Sequence, residues 1–439
     1  VTTAIPLSIT PADTILREAG QRVSRKLRRA RLAHERSVAP LAGVPEEVDL
    51  FFDHAPSGTY PIVAFRTVPC DRWLKGLCTP CSYSARSYPV GIEPAALHAS
   101  VMTQLEWLLQ HFDEFFTLRS TGDLSGYRLR SAPQRPWYML QLAGESSFFR
   151  DAEIPSEYRR AILERLIRFQ DEANVNLHVM IECRPEHLVA AERSSELETL
   201  RPLFRALDVV VNMGYEHFDE FLRNVTFAKD LSAAAFAEAI EAAVRNDLDP
   251  GAFLFAGSYV LATSEALEQT RRSLHHLEQM GVFANVMVPN LQGYTLPDLL
   301  YELGLYDLPE PYFLLDLAEL LCSFQPQRAR RITPFDWFIG GLVSDPPPRY
   351  TVLDHPRRKT SSDMTAAIYD CVLELVSTLD RRSFEATARR LRRDSEYRYY
   401  AEELERTAAR SWAERQCEFV RAAESYVDEY IARLATDAP

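Results

Sequence analysis

The stretch VPCDRWLKGLCTPCSY, residues 68–83, places three of the chain's seven cysteines within twelve residues. Cys70, Cys78 and Cys81 are separated by seven residues and then by two. Clustered thiolates act as metal ligands or as a redox couple. Structural zinc takes four ligands, usually as two paired hooks. Here a single Cys-x-x-Cys hook and a lone Cys70 are followed by no further cysteine until Cys183, so zinc would need distant Cys183 or Cys322 to close the site. A thioredoxin-like couple would use Cys78 and Cys81, yet CTPC does not open a helix after the first strand of a small βαβ unit. A third chemistry accounts for the odd number. Three thiolates on a 4Fe-4S cluster leave one iron with an open coordination site. At the C-terminal mouth of a β/α barrel such an iron is a reactive centre.

The elements around the loop support a barrel. Thr10 as N-cap and Pro11 at the first helical position predict a helix to about Arg36. A Pro/Gly-containing loop follows, and YPIVAFRTVPC (60–70) reads as a buried strand ending at the first clustered cysteine. Helix and strand then alternate. WYMLQLAGE, VNLHVMIECRP, LDVVVNMGYE, AFLFAGSYVLA and VFANVMVPN read as strands. The helices between them include PSEYRRAILERLIRFQDEA, one near 192–205, SAAAFAEAIEAAVRN capped by Ser232, and SEALEQTRRSLHHLEQMG. Continuous apolar strands separated by helices are the pattern of a parallel sheet buried on both faces. The fold class expected is α/β, a partial or full (β/α) barrel with an N-terminal helix and a C-terminal helical extension. The expected divisions are an N-terminal helical segment (1–58), the barrel (59–325) and a mostly helical extension (326–439). In the extension an apolar stripe of period near 3.5, including Trp412, Val420, Ala423, Val427, Ile431 and Leu434, is expected to pack on the barrel.

At 439 residues, 46% of them apolar, the chain can bury a large core. No run approaches the roughly eighteen apolar residues of a membrane span, and no charged-then-apolar leader opens the sequence, so a soluble cytoplasmic protein is expected. The net charge of −13 argues against gripping nucleic acid as the main task. Residues 17–36 carry eight Arg or Lys, and RRLRR (389–393) is also basic; both read as solvated helix faces paired with acidic neighbours.

The cysteine loop and four later segments resemble the radical S-adenosylmethionine (radical SAM) superfamily, in the divergent branch of the archaeosine-synthesis radical enzymes. PCDRWLKGLCTPCSY is similar to that branch's Cys-x7-Cys-x2-Cys loop, including the aromatic Tyr83. LAGESSFFRDAEIPSEYRRAILERL, IECRPEHL, MGYEHFDEFLRNVTFAKDLS and VPNLQGYTLPDLLYELG resemble later strand-end segments in the same order. The resemblance implies that Cys70, Cys78 and Cys81 hold a 4Fe-4S cluster. It implies cofactor contacts by Tyr83, by Gly144 and Glu145 at the methionyl amino group, by Glu182 near the ribose, and by Arg223 and Lys229 at the methionyl carboxylate. A zwitterionic cofactor needs an acceptor for its ammonium and a cation for its carboxylate. Structural readings stand beside some of these: Glu182 and Glu216 as strand-end caps or partners of Arg184, Cys183 and His178 as core, and Tyr259 and Asn290 as pocket lining or ordinary packing.

The activity implied is one-electron cleavage of S-adenosyl-L-methionine to methionine and a 5′-deoxyadenosyl radical, which abstracts hydrogen from substrate. A flavodoxin or ferredoxin would supply the electron. Ala143-Gly144-Glu145 stands where the archaeosine enzymes often have Ser-Gly-Ser, and their later Cys-x-x-Cys pair is missing. With the acidic charge, this favours a small polar metabolite or natural-product intermediate, undergoing rearrangement or carbon–heteroatom cleavage. A tRNA base is the alternative substrate, and a non-catalytic metal-stabilised interaction protein the alternative class.

Overall fold

A computed structural model describes residues 9–38, 49–55, 58–81, 93–115, 135, 137–143, 147–324, 348–406 and 409–436. Seven strands form one sheet in sequential order: β1 (Asp49–Ala55), β2 (Gly58–Ala64), β3 (Trp137–Ala143), β4 (Asn176–Cys183), β5 (Val210–Glu216), β6 (Asp249–Phe255) and β7 (Phe283–Met287). β1 and β2 pair antiparallel, and every pairing from β2 to β7 is parallel. Helices α1 (Pro11–Val38), α3 (Pro94–Gln110), α5 (Ser156–Glu172), α6 (Pro185–Arg193), α7 (Glu196–Ala206), α8 (Ala233–Arg245) and α9 (Thr263–Met280) surround it, with short helices α2 (Asp71–Leu74) and α4 (Phe112–Phe115) between. This is an α/β partial barrel.

All six expected strands are present, but boundaries differ: the fifth, read as AFLFAGSYVLA to Ala262, ends at Phe255. The first ends at Ala64 rather than Cys70: the apolar run continues, but only Ile62, Val63 and Ala64 pair with β3. The segment read as a Pro/Gly loop contains β1, whose hairpin partner is β2. The helix expected near 192–205 is two helices, because Ser195 takes φ 62° and breaks the backbone between α6 and α7. The caps at both predicted positions form. Thr10 Oγ1 accepts from Asp13 N (3.1 Å), and Ser232 Oγ accepts from Ala235 N (3.1 Å).

Alternation along the strands separates two faces. Val179, Ile181, Val211, Met213, Ala252, Leu254, Ala284 and Val286 point into the apolar layer beneath the helices. Gln141, Met180, Glu182, Asn212, Gly214 and Asn285 lie on the opposite, concave face, which is therefore polar. Beyond β7, Asn290–Leu291 pairs antiparallel with Tyr350–Thr351, and α10 (Leu296–Glu302) and α11 (Phe313–Ser323) lie between these two strands in the chain.

The C-terminal stripe has a partner besides the barrel. In the helix Trp412–Thr436, Phe419, Ala423, Val427 and Tyr430 pack with Val23 and Leu27 of α1 and with Leu296, Leu299 and Leu300 of α10. Exposed pairs, Arg22 with Glu424 and Lys26 with Asp428 (both 2.8 Å), flank that seam. Arg389 and Arg392 of the second basic stretch pair with Glu385 and with Asp316 and Glu319. Arg22, Lys26 and Arg389 are solvated side chains meeting acidic neighbours as expected, whereas Arg392 is half-buried and Arg28 of the first stretch is buried against backbone carbonyls. No helix among the described residues is long and apolar enough to cross a membrane.

Candidate functional site

Cys70, Cys78 and Cys81 lie on the loop that leaves the C-terminal end of β2, the first parallel strand. Cys70 is buried at the start of α2, with Trp73 beside it. Cys78 has φ 57°, a left-handed backbone that turns the chain back toward Cys81, whose N–H donates to the Cys78 carbonyl (2.9 Å). The loop is sewn to the segment after β5. Thr79 N donates to Phe227 O (3.0 Å) and Thr79 Oγ1 to Thr226 O (2.9 Å). On its other side the loop rests on α1. Gly76 takes φ +81°, and a Cβ there would stand 2.4 Å from Gln21 O, so only glycine fits.

Three cations lie near the thiols. Arg184, following β4, bonds Glu186 (Nε to Oε1, 2.6 Å) and Lys229 O (3.4 Å), and neighbouring Cys78 and Cys70 help hold its charge against burial. Lys229, following β5, donates to Glu216 Oε1 at 2.6 Å; Glu216 and Cys78 raise its pKa although burial opposes them. Arg28 reaches in from α1. Its Nη2 donates to Cys78 O (2.7 Å), and its Nη1 to the Trp73 carbonyl. Burial lowers the Arg28 pKa, and the thiols of Cys81, Cys78 and Cys70 act against that. Burial and the proximity of Cys78 push the Cys70 thiol up.

Lys229 can lie over β5 because residue 214 is glycine. A Cβ there would be 2.4 Å from Lys229 Nζ and 3.1 Å from Glu216 Oε1. The strand is irregular at this point, shifting register between Gly214 and Glu216, and Glu216 has φ 67°. Glu182, one strand away, accepts from Gln141 Nε2 (2.8 Å). Its carboxyl is raised to about 7, first by burial and also by Glu216, against Gln141 and Lys229.

Deeper on the concave face, Asn212 Nδ2 approaches Met180 Sδ (2.6 Å). The Oδ1 atoms of Asn212 and Asn285 are buried without a hydrogen-bond partner among the described residues. Unpaired buried amide oxygens are costly in a folded protein, and a bound molecule would satisfy them.

The sequence-predicted residues divide. Cys70, Cys78, Cys81, Glu182 and Lys229 gather at the C-terminal ends of β2, β4 and β5. Tyr83, Gly144 and Glu145 lie outside the described residues. Arg223 does not join Lys229. It sits in a buried π-helical turn (Leu222–Thr226), donates to the carbonyls of Leu231 (2.8 Å), His217 and Phe218 (2.9 Å each), and lies over Tyr215. Its guanidinium holds the loop together. Arg184 takes Glu186 as its partner, while Glu182 and Glu216 engage Gln141 and Lys229.

Cys183 faces the apolar layer beneath the helices, and His178 meets Asp208 (Nδ1 to Oδ2, 3.3 Å). Tyr259 donates to Thr226 O (2.8 Å), and Asn290 belongs to the small sheet. Sequence reasoning missed Arg28, Asn212 and Asn285. The strand alternation that puts both asparagines opposite Val211 and Ala284 was available to find them.

Among the described residues no three His, Cys, Asp or Glu side chains converge as ligands of one metal ion. A 4Fe-4S cluster makes a different demand, since each thiolate ligates its own iron. The donor set fits that group: three thiols on one loop, with Arg28, Arg184 and Lys229 near enough to offset their charge.

No family model matches the chain. It is 24% identical over 266 residues to archaeosine synthase subunit beta of Methanosarcina acetivorans, covering 60% of this chain and 67% of that protein. It is 23% identical over 233 residues to an uncharacterised protein of Methanocaldococcus jannaschii, covering 53% of this chain and 56% of the relative. The chain is thus a distant relative of a protein named as an enzyme subunit.

Proposed function

We propose that this protein is a radical SAM enzyme of the cytoplasm that acts on a small polar metabolite or natural-product intermediate. The observation that carries the reading is the three-cysteine loop at the end of the first parallel strand, with Arg28, Arg184 and Lys229 near it. Distant similarity to archaeosine synthase subunit beta supports it.

A 4Fe-4S cluster held by Cys70, Cys78 and Cys81 would supply the electron that cleaves S-adenosyl-L-methionine to methionine and a 5′-deoxyadenosyl radical; flavodoxin or ferredoxin is the reductant proposed. The chain's own residues bind and orient. Lys229, steadied by Glu216, offers its ammonium to the methionyl carboxylate, and Arg223 supports it indirectly by fixing the loop on which Lys229 sits. Glu182, with Gln141 behind it, offers a carboxyl toward the ribose. By resemblance, Gly144 and Glu145 take the amino group. Asn212 and Asn285 give the concave face hydrogen-bonding groups for an uncharged polar substrate.

The intramolecular pairing of Arg22, Lys26, Arg389 and Arg392 leaves less free cationic surface for a tRNA, which supports the small substrate. The test is anaerobic reconstitution with iron and sulfide, reduction by dithionite, and assay of 5′-deoxyadenosine beside Cys78→Ala. Cysteine-dependent formation is expected. A reduced, loaded protein that neither cleaves nor binds S-adenosyl-L-methionine would refute the reading and favour a metal-stabilised interaction protein.

A further inference from the structure

Arg28 belongs to α1, outside the sheet, yet it is only 4% exposed. Its Nη1 donates to the Trp73 carbonyl, and its Nη2 to Cys78 O (2.7 Å) and more weakly to Cys81 O (3.5 Å). Its guanidinium carbon stands 5.3 Å from the centre of the Trp73 ring. Trp73 in turn donates its indole N–H to Cys81 O at 3.0 Å. One side chain therefore ties together the carbonyls of both cysteines of the hook and the aromatic ring packed against Cys70.

Of the other buried cations among the described residues, three have carboxylate partners, while Arg223, like Arg28, rests on carbonyls and a ring face. Arg159 has Glu196 (2.7 Å), Arg184 has Glu186 (2.6 Å) and Lys229 has Glu216 (2.6 Å). Among the described residues Arg28 has none, only carbonyl dipoles and a ring face. Burying a positive charge without a counter-ion is unfavourable, so negative charge on the loop that Arg28 grips would stabilise it. The thiols of Cys70, Cys78 and Cys81 are the groups placed to supply it.

We propose that Arg28 is a positioning residue of the cofactor site: it clamps the cysteine loop from outside the barrel and is the counter-charge for the anionic cluster the three thiolates hold. This rests on the iron–sulfur reading above. A 4Fe-4S core bound by three thiolates carries net negative charge, and one-electron reduction adds to it. A fixed neighbouring cation therefore favours the reduced form. The N-terminal helix becomes part of the redox centre.

The experiment compares full-length wild type, R28Q and R28K after anaerobic reconstitution. Iron per chain is measured, then reduced fraction by redox titration with paramagnetic resonance, with circular dichroism of the metal-free forms as the fold control. At a fixed poise near the midpoint, R28Q is expected to lower the reduced-to-oxidised ratio about tenfold, or about 59 mV for a one-electron couple. R28K keeps the charge and so stays within about twofold of wild type in that ratio. It holds less iron, because an ammonium cannot span two carbonyls as a guanidinium does. Loaded wild type and R28Q with the same iron content and potential would overturn the role of Arg28 while leaving the cluster reading intact. Wild type that takes up no iron overturns the cluster reading and Arg28 with it. If R28Q does not fold, R28K decides: full iron loading overturns the clamp, and reduced loading with native dichroism upholds it.

Discussion

Gly214→Ala tests the cofactor role of Lys229 without touching its charge. The new methyl carbon would fall 2.4 Å from Lys229 Nζ, inside any real contact distance. Restoring a separation near 3.5 Å requires the ammonium to retreat by about 1 Å. The group that must move is the end of a flexible side chain, so the strand survives. Crowding a packed site costs on the order of 1–3 kcal/mol, and here most of that falls on the 2.6 Å bond between Lys229 and Glu216.

If Lys229 meets the methionyl carboxylate, the retreat weakens a charge-assisted bond, and a loss near 1.4 kcal/mol is about tenfold in affinity. Calorimetric titration of S-adenosyl-L-methionine into the reconstituted protein reads the affinity; urea unfolding reads the stability. The expected result is a stability loss of about 1–3 kcal/mol with affinity lowered about tenfold or more. Unchanged affinity alongside that stability loss would show that the displaced ammonium makes no contact with the cofactor, and the role assigned to Lys229 would fall.

The carboxyl of Glu182, raised from 4.5 to about 7, makes a pH signature. The folded state holds this proton more tightly than the unfolded chain, so its stabilisation is complete below pH 4.5 and is lost as pH rises through about 7. Because the side chain opens partly onto the concave face, the loss amounts to roughly 1–3 kcal/mol. Wild type should therefore weaken relative to Glu182→Gln between pH 5 and 8.5 in paired urea titrations; a pH-independent difference contradicts the shift. Tyr430→Phe removes the hydroxyl that donates to buried Asp298, which also holds Arg349 (2.9 Å). Loss of that charged hydrogen bond should cost about 1.5–3 kcal/mol in urea unfolding, and a change below about 0.5 kcal/mol would show that Arg349 alone satisfies the carboxylate.

The parallel strands were legible because a strand covered on both faces must be apolar along its length. β1 was not: DLFFDHA carries charges and adjoins Pro56 and Gly58, which resemble loop chemistry until the hairpin is seen. The cysteine loop and Lys229 could be read from spacing and resemblance. The roles of the two arginines depended on direction. Arg223 lies within a few residues of Lys229, yet a π-helical turn points it at backbone carbonyls. Arg28 sits in a basic run whose neighbours face solvent, but Ala19, Gly20, Val23, Ser24 and Leu27 trace a small and apolar face on which Arg28 is next. Net charge obscured that pattern; four-residue spacing along the helix reveals it.

The seam between α1 and the C-terminal helix also sets an order of events in synthesis. Arg22 and Lys26 meet partners 402 positions later in the chain. At about 5–20 residues per second, translation separates them by roughly 20–80 s. The three cysteines emerge near the start of that interval, while the helix face carrying Val23 and Leu27 still awaits Phe419, Ala423 and Val427. The face of α1 that carries Val23 and Leu27 is thus covered only after the helix Trp412–Thr436 has been made. A cofactor bound as proposed would enter after residues 412–436 have been made and have packed on α1.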